Sequence, residues 1–150
     1  MLHGTHVKTI DIDVPPDVAF AAVSRPDLWV RLPGGEPSTL DFRVGGSFSA
    51  SGTFRIPDRP VERVEVRYRY LAIEPSVLYF REAHVNGELL SAALVSIVLS
   101  PLPAGTLLTY SEQYTFIDRD DAVAAARELE GGTRLMLYGL KAAAEALKLP

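Results

Sequence analysis

The most informative chemical group in this sequence is a carboxylate at the centre of an alternating segment. Between residues 107 and 117, every second side chain is large or apolar, namely Leu108, Tyr110, Tyr114 and Phe116. Strict alternation of this kind predicts a half-buried β-strand. Glu112 lies in the middle of the large face. Burying a carboxylate among aromatic side chains is costly unless it is paired, protonated or hydrated. We therefore expect the carboxylate of Glu112 to face an internal pocket.

The residues expected around Glu112 follow from two hairpin turns. Asn86-Gly87 is a strong signal for a two-residue turn, and it would set Phe80 opposite Ala93. A six-residue turn at 100–105 would set Ala93 opposite Glu112. Directly opposite residues share a face of the sheet. The pattern therefore predicts an inner face on which Glu112 is joined by further polar and aromatic side chains: Glu82, His84, Tyr110 and Tyr114.

Three chemical interpretations of this face remain open. In the first, Glu112, Tyr114, Glu82 and His84 orient a small apolar ligand, and its walls are Phe80, Tyr110, Trp29 and the last helix. In the second, Glu112 and His84 act as acid and base of a cyclase- or hydrolase-type enzyme. In the third, Glu112 only forms a structural ion pair with Arg81 or Arg31. With the opposite face assignment, Glu82 and His84 would be solvated surface residues.

The order of elements places this face in an α+β fold. We expect a strand at 7–14, short helices at 16–24 and 26–31, and then a run of antiparallel strands. His3 and His6 precede the first strand, and we assign them no role. A long apolar helix from Ala122 ends the chain, and Gly131-Gly132 would kink or divide it. A sheet of six or seven strands could bury one face by curling around this helix.

Composition narrows the function classes. The 150 residues suit one domain, 1–150, and the net charge of −4 with a pI near 5.3 gives no reason to expect nucleic acid or an anionic membrane as partner. Without cysteine there are no thiolate sites, and neither a phosphate-binding glycine loop nor a metal-ligand spacing is present. We therefore expect no cofactor, no metal and a cytoplasmic location. A homodimer is an even possibility, since the outer strand edges are unpaired.

Several motifs resemble the SRPBCC, or START-like, superfamily, and within it the branch named after the activator of heat-shock protein 90 ATPase. They are the strand-to-helix entry at 14–20, the hairpin at 41–46, the strand end at 70–75 and the last strand at 105–113. The resemblance implies a helix-grip fold, in which a curved sheet wraps a long C-terminal helix around a ligand cavity. Relatives include lipid binders, cyclases and a co-chaperone domain, so a protein-interaction role is the remaining alternative.

Overall fold

The chain forms a seven-stranded antiparallel sheet that curves around a long C-terminal helix, as this computed structural model shows for residues 1–55, 57–58 and 60–147. The strands are β1 Leu2–Ile12, β2 Thr39–Leu40, β3 Ser47–Phe54, β4 Glu62–Ala72, β5 Val77–Val85, β6 Glu88–Leu102 and β7 Gly105–Phe116. The helices are α1 Pro16–Val23 and α2 Ala122–Ala146, and a 3₁₀ turn covers Pro26–Leu28. The strand order β1-β7-β6-β5-β4-β3-β2 confirms the predicted helix-grip architecture.

The core lies between the inner face of the sheet and the helices. Alternation along β7 buries Leu108, Tyr110 and Glu112, while their neighbours point to the outer face. At one end of the sheet this core is closed. Fully buried residues from β1, β5, β6 and α2 meet there, namely Ile12, Val77, Ile97 and Leu140.

The other end of the inner face is much less covered. Five apolar side chains there are only half-buried, and we call this surface the open end: Phe54, Val64, Val66, Ala83 and Val85. The reason lies in α2, which packs mainly against β1, α1 and the 3₁₀ turn. Before Gly131-Gly132 this helix buries only Ala125, whereas after this pair it buries Thr133, Leu137, Leu140 and Ala144.

Helix α2 is continuous through Gly131-Gly132, so the expected division at this pair is wrong. Both glycines are exposed, and a methyl group at either position would contact nothing.

No helix in the described ranges is long and apolar enough to cross a membrane. The element bounds differ from prediction at two further places. Strand β1 begins at Leu2 rather than at Val7, and the second short helix is a single 3₁₀ turn.

The first hairpin contains a β-bulge that the sequence did not reveal. Asn86-Gly87 forms the turn, with positive φ at both residues, and His84 pairs with Leu89 as expected. Beyond the turn the register shifts by one residue, so that Ala83, rather than Glu82, lies opposite Ser91. Since side chains alternate between faces, this single step reverses the predicted orientation of β5. Leu78, Phe80, Glu82 and His84 lie on the outer face, and Val77, Tyr79, Arg81 and Ala83 lie on the inner face.

The second hairpin is also displaced, but by two residues. A turn at Pro103-Ala104 pairs Leu99 with Leu108, where a six-residue turn would have paired Leu99 with Thr106. A shift of two keeps every side chain on its face. Glu112 therefore lies on the inner face, as predicted, although its neighbour on β6 is Val95 and not Ala93.

Two glycine substitutions should change stability in opposite directions. Gly87→Ala places a side chain at φ +82° and should lower the free energy of unfolding by about 1 kcal/mol. Gly131→Ala should raise that free energy by up to about 1 kcal/mol, because alanine has the higher helix propensity and meets open space. Urea unfolding of both variants checks the pair. A destabilised Gly131→Ala protein would contradict the continuous helix.

Candidate functional site

The site begins with the position of Glu112 across the sheet. Glu112 is paired with Val95 on β6 and with His6 on β1, so these three residues form one row. Tyr110 lies two residues earlier on the same face of β7. Arg81 reaches the carboxylate from β5 on the inner face. Although it carries a carboxyl group, Glu112 is only 1% exposed, and it is one of the largest fully buried side chains.

Four side chains form what we call the polar cluster: Glu112, Arg81, His6 and Tyr110. Arg81 Nη1 forms an ion pair with Glu112 Oε1 and also donates to the hydroxyl of Tyr110 at 3.3 Å. That hydroxyl donates in turn to Glu112 Oε1 at 3.2 Å. The side chains of Arg81 and His6 retain 12% and 17% exposure. The cluster therefore lies at the edge of the closed core rather than in its centre.

The two carboxylate oxygens of Glu112 have different surroundings. Oε1 accepts from Tyr110 and is paired with Arg81. Oε2 lies 3.1 Å from His6 Nε2, but the orientation of the ring does not complete a hydrogen bond, and this buried oxygen has no hydrogen-bond partner in the described structure. His6 Nε2 is also 3.4 Å from Thr133 Oγ1 on α2. A buried acceptor without a donor is unusual in proteins and calls for an explanation.

The surroundings keep Arg81 charged. Burial alone would lower the pKa of its guanidinium, but Tyr110, Glu112, Tyr68 and Tyr79 together hold that pKa above its usual value. Burial raises the pKa of the Tyr68 hydroxyl to about 12. The pKa values of Tyr70, Tyr79 and Tyr110 are raised by the same cause. These tyrosines are neutral hydrogen-bonding groups near neutral pH, whereas Arg81 stays charged.

The structure brings together three of the seven residues predicted for the site. Tyr110 and Glu112 belong to the polar cluster. Tyr114 follows them on the inner face, with its ring edge-on to His6 at 6.1 Å between centroids. Its hydroxyl lies over Gly4, where a methyl group would be only 2.3 Å from it. Gly4 thus makes room for the side chain of Tyr114.

The other four predicted residues lie elsewhere. Phe80 is 40% exposed on the outer face, together with Glu82 and His84, so the predicted facing of all three is wrong. His84 Nε2 is 3.6 Å from Glu82 Oε2. The acid–base pair of Glu112 with His84 is excluded, because the two are on opposite faces. Trp29 is core packing, and its indole nitrogen donates to the Ala22 carbonyl oxygen at 2.9 Å.

Sequence reasoning underestimated two members of the cluster. The predicted register places Arg81 on the outer face, so the sequence indicates it only as a structural partner of Glu112. The predicted strand at 7–14 leaves His6 outside the sheet. The alternation of Leu2, Gly4, His6, Lys8 and Ile10 along β1 was too weak in apolar character to show that these residues share the inner face.

Four surface grooves of about 370–530 Å³ are present among the described residues. Two include Phe80, on the outer face, and a third lies beside residues 30–38. The fourth runs between β1 and α2. Glu112 lines none of the four. The apolar surface next to the polar cluster is the open end, which differs from the enclosed hollow that the sequence predicted.

Comparison with known proteins identifies the fold. No protein-family model and no curated protein sequence matches the chain. Among solved structures, an uncharacterized protein from Rhizobium leguminosarum is similar over 97% of this chain and 96% of its own, with 26% identity and a TM-score of 0.73. The fold is shared with Ara h 8.0201 at 14% identity and a TM-score of 0.68, over 97% of this chain and 99% of that one.

The Zhui aromatase/cyclase from Streptomyces sp. R1128 also has this fold, at 13% identity and a TM-score of 0.62 over 96% of this chain and 94% of that one. These neighbours share the helix-grip fold that the sequence motifs implied, and the assignment to the SRPBCC superfamily stays a prediction. No comparison identifies the branch named after the activator of heat-shock protein 90 ATPase, so that finer assignment stays a prediction.

The buried ion pair should be visible in unfolding experiments. Arg81→Met or Glu112→Leu alone leaves one buried charge without its partner, and each should cost about 3–5 kcal/mol of unfolding free energy. The double variant should cost much less than the sum of the two, because neither charge remains. Urea denaturation of the four proteins gives the coupling energy. Glu82→Gln, on the outer face, is the control and should lie within about 0.5 kcal/mol of wild type. Additive single effects would contradict a direct pair.

Stability should fall in alkaline solution. The pKa of Tyr68 rises from 10.0 to about 12 on folding, so its contribution is complete below pH 10 and is lost as the pH approaches 12. Each tyrosine of this kind lowers the unfolding free energy by about 1.4 kcal/mol per pH unit in that interval. Urea titrations at a series of pH values, followed by tyrosinate absorbance, measure the slope. Tyr68→Phe should make it shallower, and an unchanged slope would argue against this assignment.

Proposed function

We propose that this protein binds a small apolar molecule on the inner face of the sheet, with the polar end of that molecule against the polar cluster. The observation that carries the proposal is Glu112 Oε2, a buried acceptor without a hydrogen bond. Arg81, the partner of Oε1, lies two residues from Ala83 on the open end, the apolar surface that α2 leaves half-buried. Apolar walls with a few convergent polar groups are the usual form of a small-molecule site.

The walls of the proposed site are residues that the register places beside the cluster. Ala83 and Val66 lie opposite each other on the open end. Ala93, a small side chain, separates Arg81 from Tyr114 on the inner face. Ala83 is half-buried and adds little bulk above the sheet, whereas Ala93 is buried. Phe80, Glu82, His84 and Trp29 do not take part in this proposal.

A purely structural ion pair explains only part of the arrangement. Pairing with Arg81 and Tyr110 satisfies Oε1, and it ties β5 to β7. It leaves Oε2 with the desolvation cost of an unsatisfied group, about 1–3 kcal/mol or more for a charged one. A bound molecule that donates to Oε2 would remove that cost. With Arg81 and Tyr110 at Oε1 and a ligand donor at Oε2, both carboxylate oxygens of Glu112 would have a partner.

Binding can be tested with N-phenylnaphthylamine, a neutral apolar dye whose fluorescence rises in apolar surroundings. Wild-type protein should enhance its fluorescence saturably. Ala83→Phe fills the open end and should weaken binding by about tenfold or more, which corresponds to about 1.4 kcal/mol. Ala92→Phe adds the same ring to the outer face, beside Glu82, and is the matched control. Equal affinities for the two variants would place the dye elsewhere.

Catalysis is the second candidate function, and one contact favours it. His6 Nε2 lies 3.1 Å from Glu112 Oε2, a separation that allows proton exchange once the ring turns toward the oxygen. One structural neighbour is named an aromatase/cyclase, and a cyclase-type reaction of this chain would use His6 in place of the predicted His84.

Native mass spectrometry of wild type and His6→Gln can separate the two candidates. A catalyst should carry a chemically altered compound in the wild type and the unaltered compound in the variant. A binding protein should carry a compound of the same mass in both. Circular dichroism of His6→Gln is the control for folding.

A further inference from the structure

We infer that the molecule bound at the polar cluster presents a neutral hydroxyl donor to Glu112, and not a carboxylate or phosphate. This inference rests on the proposed function and specifies the class of ligand. It follows from one unpartnered atom, Glu112 Oε2, and from the way in which the cations around it are already engaged.

An ionised carboxylate can only accept hydrogen bonds. Arg81 and Tyr110 occupy Oε1 of the Glu112 carboxylate. The remaining oxygen is buried and lies next to His6, whose side chain is the more exposed of the two. A ligand that reaches Oε2 must therefore offer an N–H or O–H group, since an acceptor there would leave two lone pairs facing each other.

The inner-face cations offer little to an acidic ligand. Among the described residues, the sheet places His6, Lys8 and Arg81 on this face. Arg81 is paired with Glu112 Oε1 and Lys8 with Glu130 at 2.6 Å, and His6 has Glu112 Oε2 at 3.1 Å although no hydrogen bond joins them. An anion entering the cluster would have to displace a carboxylate from Arg81 or Lys8, or lie against the Glu112 carboxylate at His6. A neutral donor requires no such exchange.

A second buried polar atom also favours a ligand hydroxyl. Tyr79 Oη is also without a hydrogen bond, and its ring stacks on that of Tyr68 at 4.3 Å between centroids. A phenol hydroxyl can donate or accept. A ligand hydroxyl has the same dual character. Aromatic rings from β4, β5 and β7 surround the cluster, so a flat hydroxylated molecule meets both the polar and the apolar surface.

Three probes of one shape test the ligand class on the wild-type protein. Naphthol, methoxynaphthalene and naphthoate, substituted at the same ring position, differ only in whether the group donates, accepts or is anionic. At neutral pH, naphthol should bind about tenfold more tightly than methoxynaphthalene, as expected for a hydrogen bond to a charged group. Naphthoate should be the weakest. Displacement of N-phenylnaphthylamine measures all three affinities.

Glu112→Gln should reverse the order. Arg81 and Tyr110 require an acceptor at the position of Oε1, so the amide oxygen stays there and the amide N–H₂ takes the place of Oε2. The site then offers a donor, and methoxynaphthalene should bind more tightly than naphthol. Glu82→Gln makes the same chemical change on the outer face and should keep the wild-type order.

The outcomes separate the two proposals. Naphthol preference in wild type and its reversal in Glu112→Gln support the inference. Wild-type affinities of naphthol and methoxynaphthalene within about threefold of each other, a difference under about 1 kcal/mol, overturn it and leave binding intact. Naphthoate binding more tightly than the other two probes would also overturn the inference and leave binding intact. If none of the three probes and no dye binds, the proposed function fails as well. The wild-type affinities of the three probes are sufficient to reject the inference. It can therefore be tested even if Glu112→Gln folds poorly.

Discussion

The burial of one carboxylate constrains much of this molecule. Glu112 can be removed from water only because Arg81 and Tyr110 are brought to the same oxygen, and this requires β5, β6 and β7 to hold a particular register. A slip of one residue in either hairpin would take Arg81 or Glu112 to the other face. The ion pair therefore links the topology of the sheet to the chemistry of its inner surface.

The fold could be predicted because its signals are redundant. Alternation in β7, the Asn86-Gly87 turn and the apolar last helix each indicate the same architecture, and the error at the start of β1 does not change it. Glu112 was identified for a similar reason. Its position within β7 depends only on the local alternation, which the shift of two in the second hairpin preserves.

The partners of Glu112 could not be predicted in the same way. Which face of β5 turns inward depends on a single extra residue at Leu90, and a bulge has no strong pattern in a run of apolar side chains. The predicted register therefore reverses the two faces of β5. It places Phe80, Glu82 and His84 on the inner face and Arg81 on the outer face. His6 was missed because strand pairing with β7, rather than local propensity, orders the first residues of the chain.

The uneven anchoring of α2 has a consequence for motion. Its first half is held by little buried apolar surface, so local unfolding of those turns requires only a fraction of the free energy of global unfolding. Gly131-Gly132 lies at the junction, where low helix propensity makes the separation of the two halves easier. Amide hydrogens before this junction should therefore exchange with solvent sooner than those after it. The helix thus combines a fixed C-terminal half with an N-terminal half that can fluctuate while the rest of the fold stays closed.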